Sequence, residues 1–289
     1  MGGVMNFRTV TLDEKSSTGP SLTSWHDRLY LAWTGSDTHL NMMATADGRT
    51  YFDKTRLEER SSWRETWSDF TQIIPLAPSL AATADGVHLA WTGDEGHLNV
   101  LQARPTGPPA KVVLAETSGA SPSLTALGSD VALGWKGTDR RLNIASRLNI
   151  AMWRAEAFGP ALSLEQKSFH GPALCAVDNE LLLAWTGSDH RLNVLVSQGA
   201  TFGDPLVLDQ KSRRAPAVCV VGSEIALAWA GTDRRLKVIV SRGRSLDDVV
   251  ELDEKSHHAP AICARAGQLH LAWTGSDSRL NVATSSGPV

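Results

Sequence analysis

The sequence predicts an all-β fold, a six-bladed β-propeller of four-stranded antiparallel blades, and three observations carry that expectation. An eleven-residue motif, "LAWTGSDSRLN" from Leu271, recurs in close copies beginning at Leu31, Leu89, Leu133, Leu183 and Leu227. Each repeat unit holds four short apolar runs and no 3.6-residue periodicity. The chain opens on the fourth run of a unit and closes just after the third.

The tryptophans of the motif, Trp33, Trp91, Trp135, Trp185, Trp229 and Trp273, are spaced by 58, 44, 50, 44 and 44 residues. A period of this size belongs to a solenoid or a propeller, and four strands per unit select the propeller. In the fifth unit the inner, second, third and outer strands read "PAVCVV", "IALAWAG", "LKVIVS" and "DVVELDE", parted by Gly, Ser, Asp and Asn clusters. Consecutive apolar residues such as "LLLAW" fit sheets covered on both faces by neighbours. The tryptophans are expected to wedge between blades, where truncation to Ala costs about 3 to 5 kcal/mol.

The ends of the chain fit the same scheme. "FRTVTLDEKS" is an outer strand and "RLNVATSS" a third strand, so pairing them closes the ring and removes a sheet edge. This predicts one domain over 1–289, with an N-terminal strand at about 6–13 completing the blade formed by 257–287. Two irregularities remain. "RLNIASRLNIAM" is a tandem copy of six residues, predicting a lengthened hairpin or a loop-out that keeps the alternation of faces. An aromatic-rich insertion at about 62–77, containing "WRETWSDFTQIIP", separates the first two units.

With 42% hydrophobic and 20% charged residues the chain has the composition of an ordinary globular domain. A net charge of -3 with both signs interspersed gives no electrostatic footprint for nucleic acid or an anionic membrane. The N-terminus has no signal-peptide pattern and no apolar run nears the ~20 residues of a membrane span, so the simplest expected location is cytoplasmic. Cys175, Cys219 and Cys263 recur at one place in successive units, and are expected to be buried free thiols. Their spacing matches no metal-ligand pattern, and no cofactor is expected.

Antiparallel succession puts the turn between second and third strands and the crossing from outer to inner strand on one rim. Those two loops repeat strongly, whereas "TSWHDR", "VDNE" and "ARAGQ" on the other rim share little. In the turn, Asp37, Glu95, Asp139, Asp189, Asp233 and Asp277 are expected to bond the backbone and the nearby basic residue, with Gly supplying a positive φ. The basic residues are His39, His97, Arg141, Arg191, Arg235 and Arg279. Between blades these would join acids or amides at the outer-strand ends, Glu14, Glu116, Gln166, Gln210 and Glu254, and an Asn such as Asn193. Residues of the crossing, among them His170, Arg214 and His258, complete the set. Planar donors and carboxylates suit vicinal hydroxyls, which points to a glycan or other small polar ligand bound at several related sites.

The repeat "LAWTGSDxRLNV" with "FGDPLVLDQKS" and "APAL" resembles the sialidase-like repeats of bacterial β-propeller proteins. The closure of the ring is similar to that of six-bladed fucose-binding propeller lectins. The resemblance implies the propeller fold, and with the related rim sites it favours a carbohydrate-binding, lectin-like function over an enzymatic one. The Asp-box pattern Ser-x-Asp-x-Gly-x-x-Trp is approached by "TADGRTYF", one residue short, and the tyrosines are only Tyr30 and Tyr51 with no Arg-Ile-Pro tripeptide, so sialidase chemistry is not expected. An alternative reading is an enzyme with one site at the axial mouth under the insertion. Trp63, Trp67 and Phe70 would enclose an apolar ligand there, and Glu65, Asp69 or His97 would transfer a proton. A protein-interaction platform is the third reading.

Overall fold

The computed structural model describes residues 5–67, 70–103, 108–137, 141–147, 158, 161–199, 201–241, 246 and 248–287. No helix occurs among them. Alternation of small and branched apolar residues with turn clusters gives antiparallel sheets, packed as the blades of a propeller.

Strand β1 (Phe7–Lys15) belongs to the blade that closes the ring. The first blade runs β2 (Ser21–Trp25), β3 (Arg28–Thr34), β4 (His39–Thr45), β5 (Phe52–Arg60), from the inner strand outward. A separate ribbon follows, β6 (Ser62–Trp67) paired with β7 (Phe70–Pro75). The second blade is β8 (Ser79–Thr83), β9 (Gly86–Thr92), β10 (His97–Ala103), β11 (Ala110–Thr117), and the third β12 (Ser123–Leu127), β13 (Asp130–Lys136), β14 (Arg141–Arg147), β15 (Leu162–Lys167). The fourth holds β16 (Ala173–Val177), β17 (Glu180–Thr186), β18 (Arg191–Gln198) and β20 (Leu206–Lys211), with the short β19 (Thr201–Phe202) on the far end of β18. The fifth is β21 (Ala217–Val221), β22 (Glu224–Ala230), β23 (Arg235–Val240), β24 (Val249–Lys255). In the closing blade β25 (Ala261–Arg265), β26 (Gln268–Thr274) and β27 (Arg279–Ser285) are followed by β1, with Phe7 opposite Ser285 and Thr11 opposite Asn281.

The inner strands touch in cyclic order, β2 with β8, then β12, β16, β21, β25 and back to β2. The tryptophans bind these sheets together. Trp273 packs with Ala228, Leu236 and Val238 of the fifth blade, Trp229 with Ala184 and Leu192 of the fourth, and Trp185 with Ala132 and Leu164 of the third. Trp135 meets Ala90 and Leu98, Trp91 meets Ala32 and Leu40, and Trp33 meets Ala272 and Leu280 of the closing blade. Every ring therefore rests on the preceding blade, and all six are buried. Cys175, Cys219 and Cys263 are free and buried in these same interfaces, and burial pushes the Cys175 and Cys263 thiols up to about 12.

Two expectations change in detail. The insertion, expected over the axial mouth, contributes a β-ribbon in which β6 pairs antiparallel with β7. Of the tandem duplication, the first copy lies in β14, whereas its continuation over 148–152 lies outside the described residues, as do Asp69 and Asp139.

Candidate functional site

The two repetitive loops meet on one rim through the backbone. Ser61 N–H donates to the Thr38 carbonyl (3.0 Å), Ser118 to Gly96 (2.9 Å), Ser212 to His190 (2.9 Å), Ser256 to Arg234 (3.0 Å) and Ser16 to Ser278 (2.9 Å). Each acceptor sits at the left-handed position of its turn, with φ of 66° at Thr38, 83° at Gly96, 67° at His190, 70° at Arg234 and 66° at Ser278. This corrects the expectation that the motif glycine supplies the positive φ. That glycine clears space instead: a Cβ on Gly35 would stand 2.8 Å from Asp37 Oδ1 and 3.1 Å from Asn41 Nδ2. A non-glycine residue held left-handed costs roughly 1–2 kcal/mol, which the turn hydrogen bonds offset.

Much of the repeated polar chemistry is spent on this scaffold. The turn aspartates accept backbone N–H groups two residues on, as in Asp37 with His39 (3.1 Å) and Asp277 with Arg279 (3.0 Å). Asn41, Asn99, Asn193 and Asn281 each donate from Nδ2 to the carbonyl two residues earlier, at 2.8–3.1 Å, so each braces its own turn. The crossing serines donate back to the second strand, Ser256 Oγ to the Thr274 carbonyl (2.9 Å) and Ser168 Oγ to that of Thr186 (2.9 Å). Threonines at the end of the second strand clasp the next blade: Thr34 Oγ1 donates to Leu76, Thr186 to Arg214 and Thr274 to Thr18, each at 2.6 Å.

The basic residues divide differently from the expected pairing with their own turn acid. His39 does lie 3.2 Å from Asp37, and Arg56 joins both, at 3.0 Å from Asp37 and 2.9 Å from His39 Nδ1. Burial alone would raise the Asp37 carboxyl, but the bonds from Arg56 and the His39 backbone, with both charges, hold it below the ordinary carboxylate value. Arg191 reaches Asp189 only at 4.0 Å and Asp209 at 3.9 Å. Arg235 turns to the outer-strand acids Glu251 and Asp253, both 3.3 Å away, and Arg279 to Asp13 at 3.2 Å. The reason is the bulge near the end of each outer strand, which brings residues of that strand alongside the first residue of the third strand. Arg141 stands opposite Lys167 in the β14–β15 ladder. His97 is half-buried, its Nδ1 3.2 Å from the Leu114 carbonyl.

Register assigns the remaining groups to gaps between blades. Trp273 is opposite Asn281, and Arg279 lies two residues earlier on the same face, the face that packs on the fifth blade. From that blade Leu252 joins the Trp273 cluster, so Glu254, two residues further on, faces the same gap. The same logic sets Glu116, Gln166 and Gln210 toward the third, fourth and fifth blades. All four are half-buried and make no side-chain hydrogen bond or ion pair among the described residues.

Two gaps are closed. Lys54 of the first blade binds Glu14 at 2.7 Å, its Nζ 5.9 Å from the Trp33 ring centre. Lys111 of the second blade binds Glu59 at 2.6 Å and lies 5.3 Å from the Trp91 ring centre. Counting back seven residues from the outer-strand serine, the other blades have Thr9, Ala161, Pro205 and Val249 where these lysines stand. Glu14, a candidate from sequence, is thus already paired.

The inserted ribbon sits on the second blade. Ser62 Oγ donates to Asp94 Oδ1, and Arg64 lies 4.0 Å from Asp94. Trp63 packs over two glycines, Gly96 of the turn and Gly119 of the crossing, where a Cβ would come within 2.5 Å and 3.5 Å of the ring. Glu65 is opposite Gln72 and Trp67 opposite Phe70 in the ribbon.

His170, Arg214 and His258 follow one another along the rim, one per crossing. They occupy equivalent places in successive crossings, just before the inner strands. Arg214 Nε donates to the His257 carbonyl (2.7 Å), and Arg234 Nη1 lies 3.2 Å from His257 Nε2. Burial and the Arg214 charge lower both His170 and His258 below the ordinary imidazole value.

On the opposite rim "TADGRTYF" forms a tight turn. Backbone N–H groups of Thr50 (2.7 Å) and Arg49 (2.8 Å) and the Thr45 hydroxyl (2.9 Å) all donate to Asp47 Oδ1, holding that carboxyl well below its usual range. Among the described residues no group of His, Cys, Asp and Glu could hold a metal ion, and no helix is long and apolar enough to cross a membrane.

No protein-family model matches the chain, so the resemblance to sialidase-like repeats has no family match behind it. No curated protein matches it by sequence. Solved structures do match. AofleA from Arthrobotrys oligospora superposes with a TM-score of 0.70 at 10% identity, covering 100% of this chain and 88% of its own. The BP39L lectin from Burkholderia pseudomallei gives 0.65 at 14% identity, covering 98% and 83%. Aleuria aurantia lectin, described as a six-bladed β-propeller with a novel fucose recognition mode, gives 0.63 at 10% identity, covering 96% and 93%. At these identities the likeness is one of fold.

Proposed function

We propose that the chain is a lectin: one domain over residues 1–289, a six-bladed β-propeller with an insertion at about 62–77, binding saccharides in the open gaps between blades. The observation that carries this reading is the set of half-buried acids and amides that face the following blade with no partner among the described residues. Gln166 is matched with Arg191, Gln210 with Arg235, and Glu254 with Arg279, each gap floored by a tryptophan, while Glu116 faces the third blade. A carboxylate or amide accepts from one hydroxyl of a vicinal pair while the guanidinium donates to the other. Several weak sites on one rim gain avidity of about 10²- to 10⁴-fold on a multivalent surface. Of the three solved structures described above, two are named as lectins and one of these as recognising fucose, so a fucoside is the first ligand to test.

Isothermal titration with methyl α-L-fucoside is expected to give more than one equivalent per chain. The double variant Gln210→Ala, Glu254→Ala is expected to lower that stoichiometry, while Lys54→Ala leaves it unchanged or raises it by opening a gap. A single equivalent unaffected by the double variant, or no binding to the fucoside and a broad panel of neutral glycans, overturns the reading.

A further inference from the structure

The crossings around the axial mouth are chemically lopsided. At the residue two places after each crossing serine, or its counterpart beside the inserted ribbon, one side carries Thr18, Leu76 and Ala120, and the other His170, Arg214 and His258. The crossings abut: Gly19 lies against the Ala259 carbonyl and Gly171 against that of Ser121. The charged side is extended by Arg213 and His257 on the same crossings, and by His190 and Arg234 at the left-handed positions of the neighbouring turns.

This arc has cations without counter-ions. Among the described residues none of Arg213, Arg214 and Arg234 makes an ion pair, whereas Arg191, Arg235 and Arg279, outward on the same rim, all do. Arg214 is anchored through Nε alone, which fixes the plane of its guanidinium. Arginine has no acceptor, so the 3.2 Å contact from Arg234 Nη1 requires His257 Nε2 to accept. His170 stands among Arg214, Lys136, His190 and the Arg213 backbone, and His258 beside Arg214 and His257, with no carboxylate among these groups.

We propose that the arc of His170, Arg213, Arg214, Arg234 and His258 binds an oxyanion, the sulfate or carboxylate of an acidic saccharide. The site is distinct from the gaps that take neutral sugars, and it rests on the glycan reading only for the carrier of the anion. Planar, bidentate donors suit both oxyanions, and an arriving negative charge relieves the repulsion stored among these side chains. It also favours protonation of His170 and His258, so binding tightens as pH falls.

The experiment is calorimetric titration, at pH 5.5 and pH 8, with methyl α-L-fucoside, its sulfate ester, methyl glucuronide and sodium sulfate. The acidic sugars are expected to bind roughly tenfold or more tightly than the neutral one, more so at pH 5.5. Arg213→Gln combined with Arg234→Gln is expected to abolish that preference, leave neutral fucoside binding unchanged and leave the melting temperature no lower. Equal binding of acidic and neutral sugars, or a preference that survives the double variant, overturns the proposal. Sodium sulfate binding as tightly as the sulfated sugar overturns the saccharide part. Acidic sugars bound at the arc without any neutral fucoside binding would instead overturn the gap sites and leave the arc standing.

Discussion

Recurring polar side chains in this protein separate by what their atoms already hold. Asn281, Ser256 and Thr274 each donate to a backbone carbonyl within the scaffold, while Glu254 is half-buried with no partner among the described residues. Recurrence alone could not distinguish them, because a brace and a ligand group repeat equally well. The usable signal was narrower: the serine stays Ser in all six units, whereas the residue two before it varies between Glu and Gln. Buried titratable residues were likewise invisible. His270 Nδ1 lies 3.0 Å from Thr284 Oγ1, and burial, with the Arg265 charge, lowers its pKa to about 4. The unfolded chain then binds the extra proton between about pH 6.5 and 4, so stability falls across that window as pH drops, by roughly 3 kcal/mol. Urea unfolding at pH 8 and pH 4 is expected to show a smaller pH dependence for His270→Gln than for the parent chain.

At the scale of elements, strand order within a blade was legible from the spacing of turn residues, and the outer-strand bulges were not. A bulge depends on how two strands twist against each other, and it decided which acid Arg235 and Arg279 meet. The inserted ribbon was half legible. Its aromatic run marks it as an insertion, but its docking depends on Gly96 and Gly119, residues far from Trp63 in sequence and close in space. Gly96→Ala adds a Cβ at φ 83° against that ring, and is expected to destabilise by about 1–2 kcal/mol. Adding Trp63→Ala removes the steric part, so a double-mutant cycle measured by thermal unfolding is expected to show coupling between the two sites. Additive effects would mean the ribbon rests on Ser62 and Arg64 alone.

Across the whole molecule, every blade borrows its neighbour's surface for its tryptophan, and Trp33 borrows that of the closing blade. The long-range pairing of β1 with β27 was readable because the repeats are out of phase with the chain ends. What lay beyond reach was how the units meet: Lys54 and Lys111 on the acid of the preceding blade, and Trp63 over Gly96 and Gly119. Such differences arise from single substitutions on a common frame, and only contacts between units reveal their effect.

The antiparallel β1–β27 seam also fixes how the molecule answers mechanical load. Asn6 accepts a hydrogen bond from Ser286 (2.8 Å), so a tether at each end pulls from the same point of the ladder. Tension there peels rungs one after another, as in a zipper, instead of shearing them in parallel, and the toroid comes undone at its clasp before any blade interior is stressed.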